Sequence, residues 1–255
     1  MKQVKFDEGR IVLSEEYIPA IITASVALFA AVLAQFIGHI LNKKRQDNIF
    51  NMEVYQNFIA PYLSDVFLYY ETETNFRKGH DVEKNINIEG LIDRISMQKQ
   101  YGDVKLLQCF FDMKVPEYFF DGRGGTKKRS IIYLIFWYLD YSRKIIRDLP
   151  GGRKSEIYDQ ISKKQKLYGI WYIIEDMDID HSLSISFMQH DFLYYQLLKE
   201  NIEIAKLKNL IEQNNIFSRE RRDFILWIIN NVYKLNEMEV QRYPFDEIRK
   251  ILISN

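Results

Sequence analysis

Three acidic residues alternate in a short stretch of the chain: Asp176, Asp178 and Asp180. Alternating carboxylates begin a calcium-binding loop, which also requires Gly at its sixth position and Glu at its twelfth. His181 and Phe187 occupy those two positions in this chain. The stretch is therefore predicted to be an acidic turn, and no metal site is expected there.

Two adjacent His-Asp pairs, His80-Asp81 and His190-Asp191, contain the residue types that bind metals in some phosphohydrolases. That chemistry also needs a separate His and a distant Asp that converge on the same metal. Of the other two histidines, His39 lies in an apolar segment and His181 lies too close to His190. Solvated or core histidines are the preferred interpretation.

Neither a nucleophile nor a phosphate-binding loop is predicted. Cys109 lies in the apolar run 106–111 with no His nearby in the sequence, which predicts a buried thiol. The Gly-rich stretch 122–129 lacks the Walker spacing and follows no predicted strand. We therefore predict a protein that is not an enzyme, with no catalytic residues and no cofactor.

The composition is that of a folded chain with a large aromatic core. Its 255 residues carry a formal net charge of zero and include 17 Phe, 17 Tyr and 3 Trp. This excludes disordered and collagen-like chains, and neutrality argues against a wholesale nucleic-acid binder. A single Cys excludes an internal disulfide and fits a reducing compartment.

The segment 17–41 is apolar and contains no Asp, Glu, Lys or Arg. About 20 such residues in a helix cross the hydrocarbon core of a bilayer. Pro19 lies in the predicted first turn, and Ser14 with its acidic neighbours Glu15 and Glu16 favours a helix start. The segment is predicted to be a transmembrane helix preceded by a short tail, residues 1–16.

A cleaved signal peptide is the alternative interpretation, because residues 32–34 resemble a cleavage site. However, the first 16 residues are mixed in charge, and the apolar run continues beyond Ala34 to the cluster Lys43, Lys44 and Arg45. A retained anchor is therefore favoured. The positive-inside rule then places the N-terminus outside and residues 42–255 in the cytosol.

Small residues recur along the apolar segment at spacings of four and three. They are Ala20, Ala24, Ala27, Ala31, Ala34 and Gly38. Such a face lets helix backbones approach closely in lipid, so it predicts a homo-oligomer interface. Chance occurrence in an Ala-rich helix is the alternative.

The rest of the chain is predicted to be all-α. A helix is predicted to continue from the membrane to about Tyr70, with a kink at Pro61. Residues 42–90 form a juxtamembrane helix and polar connection, and residues 91–255 form a helical cytosolic domain. Predicted breaks fall at 122–125, at 150–152, near Asp180 and at 243–244, with Ser218 as a helix N-cap. The predicted helices are 91–101, 103–120, 127–148, 155–177, 183–214, 218–237 and 244–253. The apolar run 131–139 is predicted to be the buried central helix.

Charge is unevenly distributed within this domain. Residues 122–168 hold twelve Lys or Arg and four Asp or Glu, whereas residues 169–215 hold three and eight. The basic residues are Arg123, Lys127, Lys128, Arg129, Arg143, Lys144, Arg147, Arg153 and Lys154. They predict a face for an anionic lipid headgroup, a nucleotide or RNA phosphate. A solvated face balanced by the acidic segment is the alternative.

The plan of the chain resembles single-pass, cytosol-facing helical proteins of bacterial antiphage loci, including abortive-infection and CRISPR-associated membrane accessory proteins. The resemblance lies in the anchor 17–41, the Lys-Lys-Arg flank and a Lys/Asn/Ile/Tyr-rich helical domain opening with VYQNFIAP at 54–61. It transfers no functional residue. It implies a protein of the bacterial inner membrane.

Taken with the small-residue face, this resemblance leads us to expect a non-enzymatic effector of antiviral defence that oligomerises and perturbs the membrane when a protein, nucleic acid or nucleotide triggers it. A membrane-tethered receptor or scaffold for a protein or nucleic-acid partner is the alternative. A membrane-bound nuclease or hydrolase is a third interpretation, which would be revived if mutation of His80, His190 or Asp191 abolished an activity.

Overall fold

The computed structural model describes residues 17–75, 77–118, 127–177, 179–189, 202–213, 218–235 and 245–254. Within these ranges the chain is helical and contains no strand, which confirms the all-α prediction. The helices are α1 Ile18–Val54, α2 Ala60–Glu73, α3 Lys78–Asp81, α4 Ile88–Met97, α5 Val104–Tyr118, α6 Lys127–Asp148, α7 Glu156–Asp176, α8 His181–Met188, α9 Ile204–Glu212, α10 Arg219–Leu235 and α11 Phe245–Ser254. Short 3₁₀ turns occupy Lys99–Tyr101 and Gly152–Lys154.

The chain divides into two compact units, residues 1–50 and residues 51–255. The described part of the first unit is the N-terminal portion of α1, whose apolar side chains are exposed. The second unit contains the buried core. It begins at Asn51, so it includes residues that the sequence analysis assigned to the juxtamembrane connection.

The helix leaving the apolar segment runs to Glu73 through a π-helical turn at Tyr55–Ile59. This agrees with the predicted continuous helix to about Tyr70. The Ala60 amide donates to the Tyr55 carbonyl one residue beyond the usual α-helical partner, and Pro61, which lacks an amide proton, follows at once. The Tyr138 hydroxyl lies 2.9 Å from the Phe58 carbonyl oxygen and satisfies acceptors of this turn from another helix.

Helices α6 and α7 pack on each other more extensively than any other pair of described helices. The apolar run Ile131 to Leu139 lies within α6 and is buried apart from half-buried Tyr133, which confirms its prediction as the central helix. Helix α5 packs on α6, while α8 and α9 pack on α7. The core is thus a layer of helices around the α6–α7 pair.

Residues of α2 contribute directly to this core through aromatic contacts with α7. The Tyr70 ring meets the Tyr168 ring edge-on at 5.4 Å, and the Tyr69 ring stacks on Trp171. The buried Tyr168 hydroxyl donates to the Val66 carbonyl at 2.8 Å. Burial raises the pKa of Tyr168, which further favours the neutral, hydrogen-bond-donating form of this phenol.

Several predicted helix ends match the structure because their signals are local. Helix α6 has the predicted bounds, and Ser155 caps α7 by accepting from the Tyr158 amide at 3.3 Å. Ser218 likewise accepts from the Arg221 amide at 3.3 Å and caps α10. Gly151 forms the predicted break between α6 and α7 with a φ of 73°, a conformation that glycine adopts without a steric penalty.

The prediction of one helix over 183–214 is wrong. Helix α8 ends at Met188, and Glu203 has extended backbone angles immediately before α9. Neither Gly nor Pro occurs between residues 183 and 214, so the sequence carries no strong stop signal. Ile202 is buried just before α9, and residues 202–203 are not helical although periodicity predicted a helix there.

Candidate functional site

The apolar part of the helix Ile18–Glu73 is, by length and composition, sufficient to cross a bilayer. Among the described residues it is the one helix that is long and apolar enough to do so, and no residue of its most apolar stretch is buried within the protein. The core helix α6, by contrast, buries its apolar run. An exposed apolar helix requires either lipid or another protein surface around it.

The six small residues predicted as an interface lie on this one helix. At about 100° per residue they fall within an arc of roughly 80°, so they form a narrow face. The five alanines are exposed, and a Cβ built at Gly38 would have no atom within 4 Å. This face therefore has room for the close approach of a second helix.

The side chain of Thr23, one of the polar residues of this segment, is compatible with lipid. The Thr23 hydroxyl donates to the Pro19 carbonyl of the same helix at 2.8 Å, so its polar group is satisfied without water. Lys43, Lys44 and Arg45 follow on the same helix with exposed side chains. The predicted cap residues Ser14, Glu15 and Glu16 lie outside the described residues.

The predicted basic face is separated into two groups at opposite ends of α6. Lys127 and Arg129 lie at its start, where they pair with Glu89 at 2.8 Å and with Asp176 at 3.3 Å. Arg143, Lys144 and Arg147 lie near its end. Because α6 has 22 residues and each adds about 1.5 Å, the two groups lie too far apart to grip one phosphate.

The remaining members of the predicted face add no common centre. Lys128, Arg153 and Lys154 are exposed, and Arg147 pairs with its neighbour Asp148 at 2.8 Å. Arg123 lies outside the described residues. Ion pairs within the domain therefore engage several of these cations, as in the alternative interpretation of a balanced charged surface.

Asp140, a buried carboxylate in α6, forms ion pairs with basic residues near the end of that helix. Asp140 is 1% exposed and lies 2.6 Å from Lys208 Nζ, 2.9 Å from Lys144 Nζ and 3.3 Å from Arg143 Nη2. The Gln165 amide donates to it at 2.9 Å. Although burial alone raises the pKa of Asp140, the hydrogen bonds from Lys208, Lys144 and Gln165 together lower it to about 2. The carboxylate is therefore ionised and joins α6, α7 and α9.

Trp137 lies one helical turn before Asp140 and is enclosed by lysines from two other helices. Lys105 Nζ of α5 lies 4.4 Å from the indole centroid, and Lys208 Nζ of α9 lies 5.4 Å from it. Cations at this distance are attracted by the negative face of the ring. Lys105 also pairs with Glu212 at 3.2 Å, which ties α5 to α9. The arrangement stabilises helix packing.

Substitution of Asp140 by Asn is expected to remove a pH-dependent part of the stability. The pKa of Asp140 is lowered from 3.8 to about 2 in the folded protein, so ionised Asp140 contributes roughly 2 kcal/mol above pH 4. This contribution is lost as the pH falls toward 2. Denaturant unfolding of wild type and Asp140→Asn, repeated from pH 6 downward, should show the difference between them shrinking. A pH-independent difference would contradict the assignment.

Two of the three alternating acidic residues have structural roles, one in ion pairs and one as a helix cap. Asp176 pairs with Arg221 at 2.5 Å and with Arg129 at 3.3 Å. Asp180 caps α8 by accepting from the Ser182 amide at 2.8 Å, which lowers its pKa. Asp178 lies outside the described residues. In the described ranges no group of three His, Cys, Asp or Glu side chains is placed to bind a metal.

The histidines that the structure describes occupy different surroundings. His80 is exposed and pairs with Asp81 at 2.6 Å, whereas His39 lies on the apolar helix. His181 Nδ1 lies 2.5 Å from Glu175 Oε1, and its ring stacks on Trp171. Ser184 also donates to Glu175, so the hydroxyl is directed to the carboxylate instead of the imidazole. His190 and Asp191 lie outside the described residues.

Cys109 has the environment that the sequence predicted. It is 1% exposed in α5, and burial raises the pKa of its thiol to about 12. A thiol with such a pKa remains protonated at neutral pH, and the thiolate is the nucleophilic form. Cys109 is therefore a core residue.

Sequence reasoning missed Lys208, Gln165 and Arg221, which become important only through packing. One signal was present for Asp140, which contacts Lys208 and Gln165: it is a lone carboxylate beside the apolar run 131–139. Acids in such positions are usually paired when buried. The sequence contains no corresponding signal for the identity of the partners, since 68 residues separate Asp140 from Lys208.

Comparisons with family models, with characterised proteins and with solved structures found no match to this chain.

Proposed function

We propose that this protein is a non-enzymatic, single-pass membrane effector of bacterial antiviral defence. It oligomerises through its apolar helix and perturbs the membrane when its cytosolic domain is triggered. The observation that supports this most is the narrow face of small residues on a helix whose apolar window is not buried within the protein. The bacterial and defensive setting comes from the resemblance in the plan of the chain.

In this proposal the helix crosses the inner membrane over 17–41, with its N-terminus outside. The cluster Lys43, Lys44 and Arg45 remains in the cytosol because basic flanks are retained on that side. The unit 51–255 then receives the trigger, which is a protein, a nucleic acid or a nucleotide. Ion pairs within this unit hold its helices together. The trigger acts by changing how copies of the chain associate with one another.

The first test is the mass of the detergent-solubilised chain, measured by light scattering. The variant combines Ala27→Leu, Ala31→Leu and Ala34→Leu, which place bulky side chains on the small-residue face. Wild type is expected to be a defined oligomer, and the variant is expected to dissociate because its helices can no longer approach closely. A monomer in both cases would contradict assembly through this helix.

A matched control places leucine on the other side of the same helix, at Ser25, Val26 and Val32. These positions lie about 120° or more from the centre of the small-residue face. The control adds apolar volume without blocking that face, so its mass should equal that of wild type. Dissociation of this control would indicate a general effect of helix composition.

The receptor or scaffold remains the second candidate, and the independent core of residues 51–255 favours it. Replacement of residues 17–41 by an unrelated single-pass helix separates the two. If the protein is a scaffold, cells carrying this variant should remain protected against phage. If it is a membrane-perturbing effector, protection should be lost and the membrane potential should no longer fall during infection.

A further inference from the structure

Helix α5 carries apolar residues on two faces, although only one of them is in the core. Leu106, Phe110 and Met113 are buried, as expected of a core-facing helix. On the outer side Val104 is 82% exposed and Phe111 is 65% exposed, with Leu107 also exposed between them. Large apolar side chains in a contiguous exposed patch are costly in water and mark an interaction surface.

The exposed apolar residues border a groove of about 590 Å³ between α4 and α5. Its apolar lining comes from Leu107, Phe110, Phe111 and Val115 of α5. Ser96 of α4 also lines the groove, and its neighbour Met97, at the end of that helix, is 75% exposed. The groove lies wholly within the second unit and is separate from the small-residue face.

Two lysines, Lys99 and Lys114, complete the lining of the groove. In the described part of the chain neither forms an ion pair, unlike most of the basic residues near α6. The neighbouring acid, Asp112, accepts a hydrogen bond from Gln108 at 2.7 Å. The groove therefore combines exposed apolar side chains with two cations that form no ion pair with the carboxylates that the structure describes.

We propose that this groove is a second membrane contact, at which the domain binds the surface of an anionic phospholipid bilayer. Phe111, Leu107 and Met97 enter the boundary between headgroups and acyl chains, and Lys99 and Lys114 meet lipid phosphates. Charge complementarity supports this occupant, and so does the short stretch of nine residues, 42–50, that links the proposed anchor to this unit in sequence. The inference rests on the membrane location in the proposed function.

The test uses the full chain with Met97→Cys, labelled with an environment-sensitive nitrobenzoxadiazole probe and reconstituted into phosphatidylglycerol vesicles. Cys109 is buried, and the unsubstituted chain serves as the labelling blank. Lipids brominated in their acyl chains should quench the probe by about half or more if residue 97 reaches the bilayer. A probe at Gln160→Cys, an exposed position of α7, should remain unquenched.

Two variants test the chemistry of the groove. Combined Lys99→Glu and Lys114→Glu should weaken quenching about tenfold, because both lysines would repel anionic headgroups. Phe111→Asp should weaken it as well, and this exposed position carries little risk to folding. The matched control reverses Lys84 and Arg219, exposed cations outside both the groove and the predicted basic face, and should leave quenching unchanged.

Several results would overturn the proposal. One is equal quenching in phosphatidylcholine vesicles. Another is a shift of the probe fluorescence without quenching by brominated lipid, which would indicate that a second copy of the chain occupies the groove. The third is a saturable shift of the probe fluorescence caused by a free fatty acid. Alkaline carbonate extraction reports on the anchor separately. A carbonate-resistant chain with no quenching at residue 97 overturns only the groove, whereas release by carbonate overturns the proposed function and this inference together.

Discussion

Substitution of Arg221 by Ala is expected to lower the free energy of unfolding by about 3–5 kcal/mol. Arg221 is 1% exposed, and its guanidinium pairs with Asp176 at 2.5 Å. It also donates to the carbonyls of Leu210 at 2.7 Å and Ile211 at 3.1 Å, at the end of α9. Removal of this side chain leaves a largely buried carboxylate without one of its cations and leaves helix-end carbonyls without their donor.

Thermal unfolding of the solubilised full chain, followed by circular dichroism, measures this effect. Arg219→Ala is the matched control, because Arg219 is largely exposed and pairs with Asp223 at only 3.5 Å. It should change stability by less than about 0.5 kcal/mol. Arg221→Lys should also be clearly destabilised, since an ammonium cannot reproduce the planar set of donors. Equal stability of Arg221→Ala and Arg219→Ala would contradict the buried network.

Substitution of Gly152 by Ala is expected to cost about 3 kcal/mol or more, at the upper end of overpacking effects. A Cβ at this position would lie 1.7 Å from the Ile146 carbonyl oxygen and 2.8 Å from the Ile146 carbonyl carbon. Both are backbone atoms at the end of α6, so no rotation of a side chain relieves the overlap. The turn between α6 and α7 would have to move, which disturbs the central helix pair.

Two other glycines provide graded controls for the same thermal measurement. Gly79→Ala meets no atom within 4 Å and lies in α3, so it should be neutral or slightly stabilising. Gly151→Ala also meets open space, but its φ of 73° should cost about 1–2 kcal/mol. Similar losses at Gly151 and Gly152 would show that backbone conformation, and not the close approach to Ile146, decides the sequence of this turn.

Those features of the fold that depend on short stretches of sequence were predictable. The run 131–139 is apolar throughout and is buried in α6, and Ser155 and Ser218 cap the helices that follow them. Each of these signals comes from residues within one or two turns of one another. The single helix over 183–214 was wrong because periodicity continues through a place where burial of Ile202 accompanies extended backbone.

The predicted site residues likewise divide into those that local spacing could group and those whose grouping depends on packing. Spacing along one helix defines the small-residue face, so Ala27, Ala31 and Ala34 could be grouped from the sequence. The basic residues of 122–168 could not be grouped in this way. A count of charges does not report that α6 places Lys127 and Arg143 near its opposite ends, or that Asp140 engages Arg143 and Lys144.

Residue patterns alone were sufficient to predict an all-α protein with an apolar helix long enough to cross a bilayer, because helical periodicity and apolar length are local properties. The partners of the buried charges depend on the packing of the folded chain. Asp140 meets Lys208 of α9, and Asp176 meets Arg221 of α10. Such pairs depend on how helices distant in sequence pack, since a buried charge is stable only where packing brings its counter-charge.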